Sequence, residues 1–559
     1  MTRWRVIVFT GLLILSMPVS GVSASSAAVL GDTVEQQELQ PSAAVDVELS
    51  DLPGSGTSAD PYVITNASEL EAMEDDVHAD YVLGGDIDAS HTAQWNNGSG
   101  FKPVWGRIAG PYTDPLFNGT FDGAGHTITG LTISRPERGS IGLFGKTGRS
   151  ATISNVTLTN ASVTGSYAVG VLVGENKGAR IHNVSASGRV SGSDNVGGLV
   201  GIHSGRIRNA AASVRGTGSD RVGGLVGDNS GRIHNASASG RVTGSNSVGG
   251  LVGGNSGRIR SVSASGRVNG TERTGGLAGW NDGTIHNASA SGRITGSSRT
   301  GGLVGHNAGM IRTVSASARV NGTEGTGGLV GWNVGVIHNA SASGRTIGSD
   351  RVGGHVGWNV GPIRNASASG RVTGSDRVGG FAGFNEGLIQ DVFAVGSTTV
   401  QTGGEVGGLV GSHASGSIRD AYWDVDATGQ SSSDGPATGL TTTQMTGEAA
   451  RTNMAGLPFG TVWQIRPNTY PTLALQTSDS QNDTARLTPT VVGDNPAQDL
   501  NGDGTYEDVN GDGTFDIVDV NALFQHRQEQ AVQDNAMKFD FNGDGTFDVV
   551  DIRRLFQNT

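Results

Sequence analysis

The chain repeats itself at one fixed interval, and this period constrains its fold more than any other feature. The hexad Val-Gly-Gly-Leu-Val-Gly begins at Val196, Val222 and Val248, with variants at Thr274, Thr300, Thr326, Val352 and Val378. Outlying copies start at Val169 and Val406 with slightly altered spacing, giving about ten coils. Within a coil, Ile233, Ile259, Ile285 and Ile311 are equivalent and always apolar. From Ala236 to Val242 a small or apolar residue falls at every second position, with Ser237, Ser239 and Arg241 between them. That is the period of a strand with one face inward. One coil cannot bury its few apolar atoms, but stacked coils can, each strand pairing with its counterpart one turn later. At about 4.8 Å per coil, ten coils make a rod roughly 50 Å long. The expected fold is all-β: a parallel β-helix (β-solenoid) of about ten 26-residue coils with caps, plus a small α-helical C-terminal module.

Stacking turns recurrent residues into columns. Glycine, 92 residues of 559, belongs at corners that need positive φ or close backbone approach. Asn229, Asn255, Asn281, Asn307, Asn333 and Asn359 recur at one turn, where Asn tolerates left-handed geometry and stacked amides can bond along the rod. Arg189, Arg215, Arg241, Arg267, Arg293, Arg319, Arg345 and Arg371 form one column of like charge, which is repulsive. Asp194, Asp220, Glu272, Glu324, Asp350 and Asp376 at the following corner offer relief. A second column alternates: His182, Arg208, His234, Arg260, His286, Arg312, His338, Arg364. Trp280, His306, Trp332, Trp358 and Phe384 share another position, readable as a sugar-stacking strip or as a corner-packing ladder. Asn183, Asn235, Asn287 and Asn339 each begin an Asn-x-Ser sequon, a possible site of glycosylation in an exported protein.

The recurrent Gly-Gly-Leu-Val-Gly over roughly 141 to 411 resembles the GLUG motif of large bacterial and archaeal surface proteins. The flanks resemble theirs too: Asp86-Ile87-Asp88 and Phe121-Asp122-Gly123-Ala124-Gly125-His126 before the coils, and Ala421-Tyr422-Trp423-Asp424 through Tyr470-Pro471-Thr472-Leu473 after them. The resemblance implies surface display or adhesion and no specific chemistry. Caps are physically required, because a bare solenoid end exposes unpaired edges.

Past residue 498 the composition changes. Asp508, Asn510, Asp512, Gly513, Thr514, Asp516 and Asp519 fall at positions 1, 3, 5, 6, 7, 9 and 12 of an EF-hand-type loop. Asp540, Asn542, Asp544, Gly545, Thr546, Asp548 and Asp551 repeat that register. Oxygen ligands at 1, 3, 5, 7, 9 and 12 suit Ca2+, a hard cation. Each loop is expected to enter a short helix, Val520 to Gln528 and Ile552 to Phe556, with Leu523-Phe524 and Leu555-Phe556 as the apolar face. Loop and helix twice, with Asp at position 12 and no entering helix, resembles a type I dockerin, which implies a cohesin-like partner read partly through positions 10 and 11. Those are Ile517-Val518 and Val549-Val550, not the familiar Ser-Thr pair, so they are either an apolar contact patch or buried. Asp499, Asn501 and Asp503 precede the first loop and either bind a further ion or extend the acidic run. A module of about 60 residues without cysteine has a marginal core, so calcium would supply much of its folding energy.

The domain boundaries expected are a signal peptide at 1–24, a polar linker at 25–52, an N-terminal cap and first coils at 53–140, and the solenoid at 141–427. A C-terminal cap at 428–476, a linker at 477–498 and the calcium module at 499–559 follow. Arg3, Arg5 and the apolar run Val6 to Met17 read as an export signal too short for a membrane span, and no membrane span is expected in the mature chain. With no cysteine, disulfides and thiol chemistry are excluded. A net charge of -13 argues against nucleic acid. Repeated coils supply copies rather than a unique catalytic constellation. The unique candidates, Asp122, His126, Arg135 and Lys146, lie in the cap and read as structural. The expected function is a secreted, non-catalytic surface or adhesion protein docking through its C-terminal module. The alternative is a carbohydrate-active β-helix enzyme or a protein binding surface glycan.

Overall fold

The computed structural model describes residues 47–104, 116–401, 403–474, 491, 497–498, 505–510, 512, 514–529, 532, 538–541 and 547–557. The segments expected to be an export signal and most of those expected to be polar linkers lie outside them. The repeats form a parallel β-solenoid built from three stacked sheets, two of them of 11 and 10 strands in uninterrupted coil order. It has about eleven turns, slightly more than the ten read from the hexads. One coil runs through the strands Asn246–Gly249, Val252–Asn255, Arg258–Ala264 and Arg267–Asn269. Each pairs in parallel with its equivalent in the following coil, as in Arg258↔Thr284, Ile259↔Ile285 and Ala264↔Ala290.

The hexad works through close approach. At Gly223 an added Cβ would sit 1.9 Å from the Val226 carbonyl oxygen, and at Gly224 2.1 Å from Gly250 O in the next coil. Neither glycine needs positive φ, so only half of the expected reason for glycine holds there. Val222, Leu225 and Val226, on either side of them, are fully buried. Left-handed backbone falls elsewhere. It occurs at the column containing Asn183, Asn209, Asn235, Asn287 and Asn365 (φ 50 at Asn235), and at Arg221, Arg273, Arg299, Arg351 and Arg377. The turn at Asn235 resets the alternation: Ile233 and Ala236 both point inward, while His234 and Asn235 both face out.

Asn229, Asn255, Asn281, Asn307, Asn333, Asn359 and Asn385 are buried, end β-strands and do not take positive φ. Each amide nitrogen from Asn229 to Asn359 donates to the carbonyl oxygen of the next Asn at 2.7–2.9 Å. The ladder satisfies buried amides that would otherwise cost free energy. The paired column holds His203 before Asn229 and His413 after Asn385.

The corner acids relieve a different arginine set from the one expected. Glu272 binds Arg299 (2.8 Å) and Arg273 (3.4 Å), and Asp350 binds Arg377 (2.7 Å) and Arg351 (3.4 Å). These arginines also lie over the aromatic column, Arg299 4.4 Å from the Trp332 ring centroid and Arg351 4.6 Å from that of Trp358. Trp332 and Trp358 stack at 4.9 Å with 14° between planes, and His306 packs on Trp332 at 4.7 Å. The rings are half-buried and their faces are taken, so the column is a packing ladder.

His355 stands where neighbouring coils place Leu329 and Phe381. It is fully buried and stacked on Phe381 at 4.6 Å, and neither ring nitrogen has a hydrogen-bond partner. Burial drives its pKa down to about 3, and those of His203 and His306 down to about 4. These rings fold neutral, whereas the unfolded chain protonates them below about pH 6.5. The unfolded state therefore binds more protons, and stability falls as pH drops from about 6.5 towards 4. His355→Leu should raise stability at pH 4.5 by about 2 to 3 kcal/mol more than at pH 8, read from thermal melts. An equal gain at both pH values would show that the ring is not held neutral.

Candidate functional site

The C-terminal module has its own small core of Val509, Val520, Leu523, Phe539, Ile552 and Leu555. Its described residues include the helices Ile517–His526 and Val549–Gln557. Both begin three residues earlier than the sequence suggested, because loop position 9 doubles as helix cap. The Asp516 carboxylate accepts from Val518 N, and that of Asp548 from Val550 N, each at 2.7 Å. Positions 10 to 12 are therefore helical.

Asp519, at position 12, reaches back across the first loop. Its Oδ1 accepts from Val509 N (2.8 Å) and Asn510 N (3.1 Å), and its Oδ2 accepts from Asp516 N (2.9 Å). Asp551 takes the matching bond from Asp548 N at 2.7 Å. Asp508 Oδ1 and Asn510 Oδ1 both accept from Asp512 N, and Asp512 accepts from Thr514 N and Thr514 Oγ1. Asp508, Asp519, Asp540 and Asp551 are all buried. Burial pushes the Asp519 carboxyl up despite its three amide donors, and the nearby Asp508 adds to that. The Thr514 hydroxyl and amide hold Asp512 low. The first loop thus gathers oxygen donors only, including two buried carboxylates, a donor set that fits a hard divalent cation. Among the described residues no three acidic or histidine side chains converge as a ready metal cluster. Asn542, Asp544, Thr546 and the preceding Asp499, Asn501 and Asp503 lie outside the described residues.

Positions 10 and 11 face outward: Ile517 is 54% exposed, Val518 53%, Val549 61% and Val550 55%. Phe524 and Phe556, read from sequence as sharing the apolar face with Leu523 and Leu555, are also exposed, at 47% and 56%. Only the leucines are buried. Ile517, Val518, Phe524, Val549 and Phe556 line one shallow apolar groove of about 660 Å3. The helical spacing of positions 517, 520, 523 and 524 places Phe524 one step around from Leu523, a signal the sequence reading missed.

The cap candidates do not form a constellation. Asp122 accepts from Ala124 N and the Asn155 amide, at 2.9 and 3.0 Å. His126 pairs with Asp86 at 3.4 Å, Arg135 donates to Phe101 O at 3.5 Å, and Lys146 lies 3.9 Å from Glu175. Each has a separate local structural task. The sequon residues are also engaged: Asn235 Nδ2 donates to Asn209 Oδ1 (2.7 Å), and Asn209 Nδ2 to Asn183 Oδ1 (2.9 Å).

Two family models match the chain. The GLUG motif matches residues 165–191, 218–243, 244–269 and 270–295, and the dockerin type I domain matches 506–558. The β-solenoid thus carries GLUG motif repeats, and a dockerin type I domain follows it. Halomucin of Haloquadratum walsbyi is 42% identical over 153 residues, 26% of this chain and 2% of that protein. A Gly-rich membrane protein of Evansella cellulosilytica is 33% identical over 24% of this chain and 15% of its own length. An immunoglobulin A1 protease of Streptococcus sanguinis is 30% identical over 23% of this chain and 6% of its own. The chain thus spans a small part of these relatives. A solved Bacteroides ovatus structure named for an immunoglobulin A1 protease covers 76% of this chain and 94% of its own, with 17% identity and a TM-score of 0.24, too low to argue from. Among the described residues no helix is long and apolar enough to cross a membrane.

Asp519→Ala removes an acceptor of three backbone amides, at a cost of about 2 kcal/mol or more. Hydrogen exchange at Val509, Asn510 and Asp516 should accelerate about 30-fold or more, while the solenoid amides keep their rates. Unchanged exchange at all three would refute this account of the loop.

Proposed function

We propose that the protein is a secreted, non-catalytic surface protein of the adhesion type, with a rigid solenoid and a Ca2+-binding module that docks a cohesin-like partner. The observation that carries the docking reading is the groove of Ile517, Val518, Phe524, Val549 and Phe556. Large apolar side chains left half-exposed together mark a contact surface rather than a core. Asp508, Asn510, Asp512, Thr514, Asp516 and Asp519 hold one calcium ion, and Asp540, Asn542, Asp544, Thr546, Asp548 and Asp551 a second. The metal draws the acidic loops together and so fixes the helix starts that present the groove. The separate structural tasks of Asp122, His126, Arg135 and Lys146 support a non-catalytic role.

The test is binding of the full chain to a panel of purified cohesin modules, with calcium and with chelator. At least one module should bind only with calcium, and Val518→Asp combined with Val550→Asp should weaken that binding about a hundredfold or more, two charges being forced into an apolar contact. Limited proteolysis should cut beyond residue 499 faster in chelator and leave the coils intact. Binding that survives both chelation and the double substitution would refute the docking reading. Turnover of pectin, alginate or xylan that is lost in Asp122→Ala or His126→Ala would refute the non-catalytic one.

A further inference from the structure

The long strand of each coil carries a charge pattern unlike the rest of the chain. In the eight equivalent stretches from 180–191 to 362–373 there is no Asp or Glu and no Phe, Tyr or Trp. The same stretches hold sixteen arginines, every one exposed. A protein of net charge -13 therefore has one sheet face that is wholly basic. The acids sit at the other corner, where Arg221, Arg273, Arg299, Arg351 and Arg377 pair with them. Among the described residues no ion pair reaches the sixteen.

The face is also grooved. The left-handed residue at Asn235 and its equivalents bends the strand, and the bend repeats in register from coil to coil. It makes an open groove of about 870 Å3 along the solenoid axis, from Asn183 to Ser315. Its wall and floor repeat an amide or hydroxyl (Asn235, Ser261), a small apolar residue (Ala236, Val262) and a serine (Ser237, Ser263). The Arg208–His234–Arg260–His286–Arg312 column runs immediately beside it. Two smaller grooves are edged by Arg206, Arg232 and Arg258 and by Arg189, Arg215 and Arg241. The pattern is bounded: Asp122 opens the His/Arg column, and Asp391 and Asp420 replace Asn in the last two coils.

We infer that this face binds a linear acidic glycan lying along the solenoid axis, its carboxylates or sulfates on the arginine columns and its hydroxyls on the Asn–Ser groove. Guanidinium forks suit carboxylate and sulfate alike. The alternating column spaces its arginines two coils, or about 10 Å, apart, which fits a polymer charged on every second sugar. A nucleic acid is disfavoured because no Phe, Tyr or Trp lines the groove for bases to stack on. The aromatic ladder, with its faces already covered, is not the sugar site. This inference deepens the surface-display reading and rests on it for the solenoid's exposure outside the cell.

The test titrates the full chain with hyaluronate (carboxylate), dextran sulfate (sulfate), neutral dextran and single-stranded DNA at several salt concentrations. At least one acidic glycan should bind, more weakly as salt rises, and dextran should not. The combined substitution Arg208→Ser, Arg260→Ser and Arg312→Ser should weaken acidic-glycan binding about tenfold or more with a shallower salt dependence. Should that variant melt early, Arg215→Ser with Arg241→Ser tests the other rim. Val518→Asp with Val550→Asp should keep glycan binding while losing docking, so either reading can fail alone. Absence of acidic-glycan binding, equal binding of dextran, DNA bound at least as tightly, or folded arginine variants with unchanged affinity would each overturn the inference.

Discussion

Everything in the solenoid depends on how near one coil's backbone can come to the next at the hexad. Gly223 and Gly224 stand where a Cβ would fall 1.9 and 2.1 Å from a carbonyl oxygen of the same or the following coil. Absence of side chains there seats Val222, Leu225 and Val226 in the core and brings the strand ends into register. The parallel sheets, the arginine columns and the buried asparagine ladder all follow from that spacing. Few large side chains are needed, since the layers between coils are filled by Ala, Val, Leu and Ile that recur in line.

The fold was legible because periodicity is a statement about neighbours: a residue one full period away had to be adjacent. Column membership could be read directly, including the alternating His182-to-Arg364 series. Conformation within a column was less legible. Two asparagine columns look alike in sequence, yet Asn229 is buried at the end of a strand while Asn235 is exposed and left-handed. The difference lies in where each sits relative to the corner, which spacing alone does not reveal. Charge pairing was misassigned for the same reason. The acids at 272 and 350 looked available to the Arg241 column, but the arginines at 273, 299, 351 and 377 are nearer and combine the ion pair with an aromatic contact.

In the dockerin domain the loop register was plain from residue identity, because a hard-cation loop places oxygen donors at fixed positions. The helix starts were not, because one aspartate serves as loop residue and cap together. The helices therefore begin at Ile517 and Val549 and carry Phe524 and Phe556 outward. Leucine and phenylalanine adjacent in sequence look equally apolar, and only the helical angle separates core from contact surface.

The two-coil rhythm of histidine and arginine bears on how such a chain can change length. Losing or gaining a single coil would rejoin matching hexads and leave each interior neighbour familiar, but would bring arginine onto arginine, or histidine onto histidine, at the join. Losing or gaining a pair of coils would preserve the alternation of this column. A change of reach by recombination within the repeats therefore keeps the charge spacing of this column only when coils are added or lost two at a time.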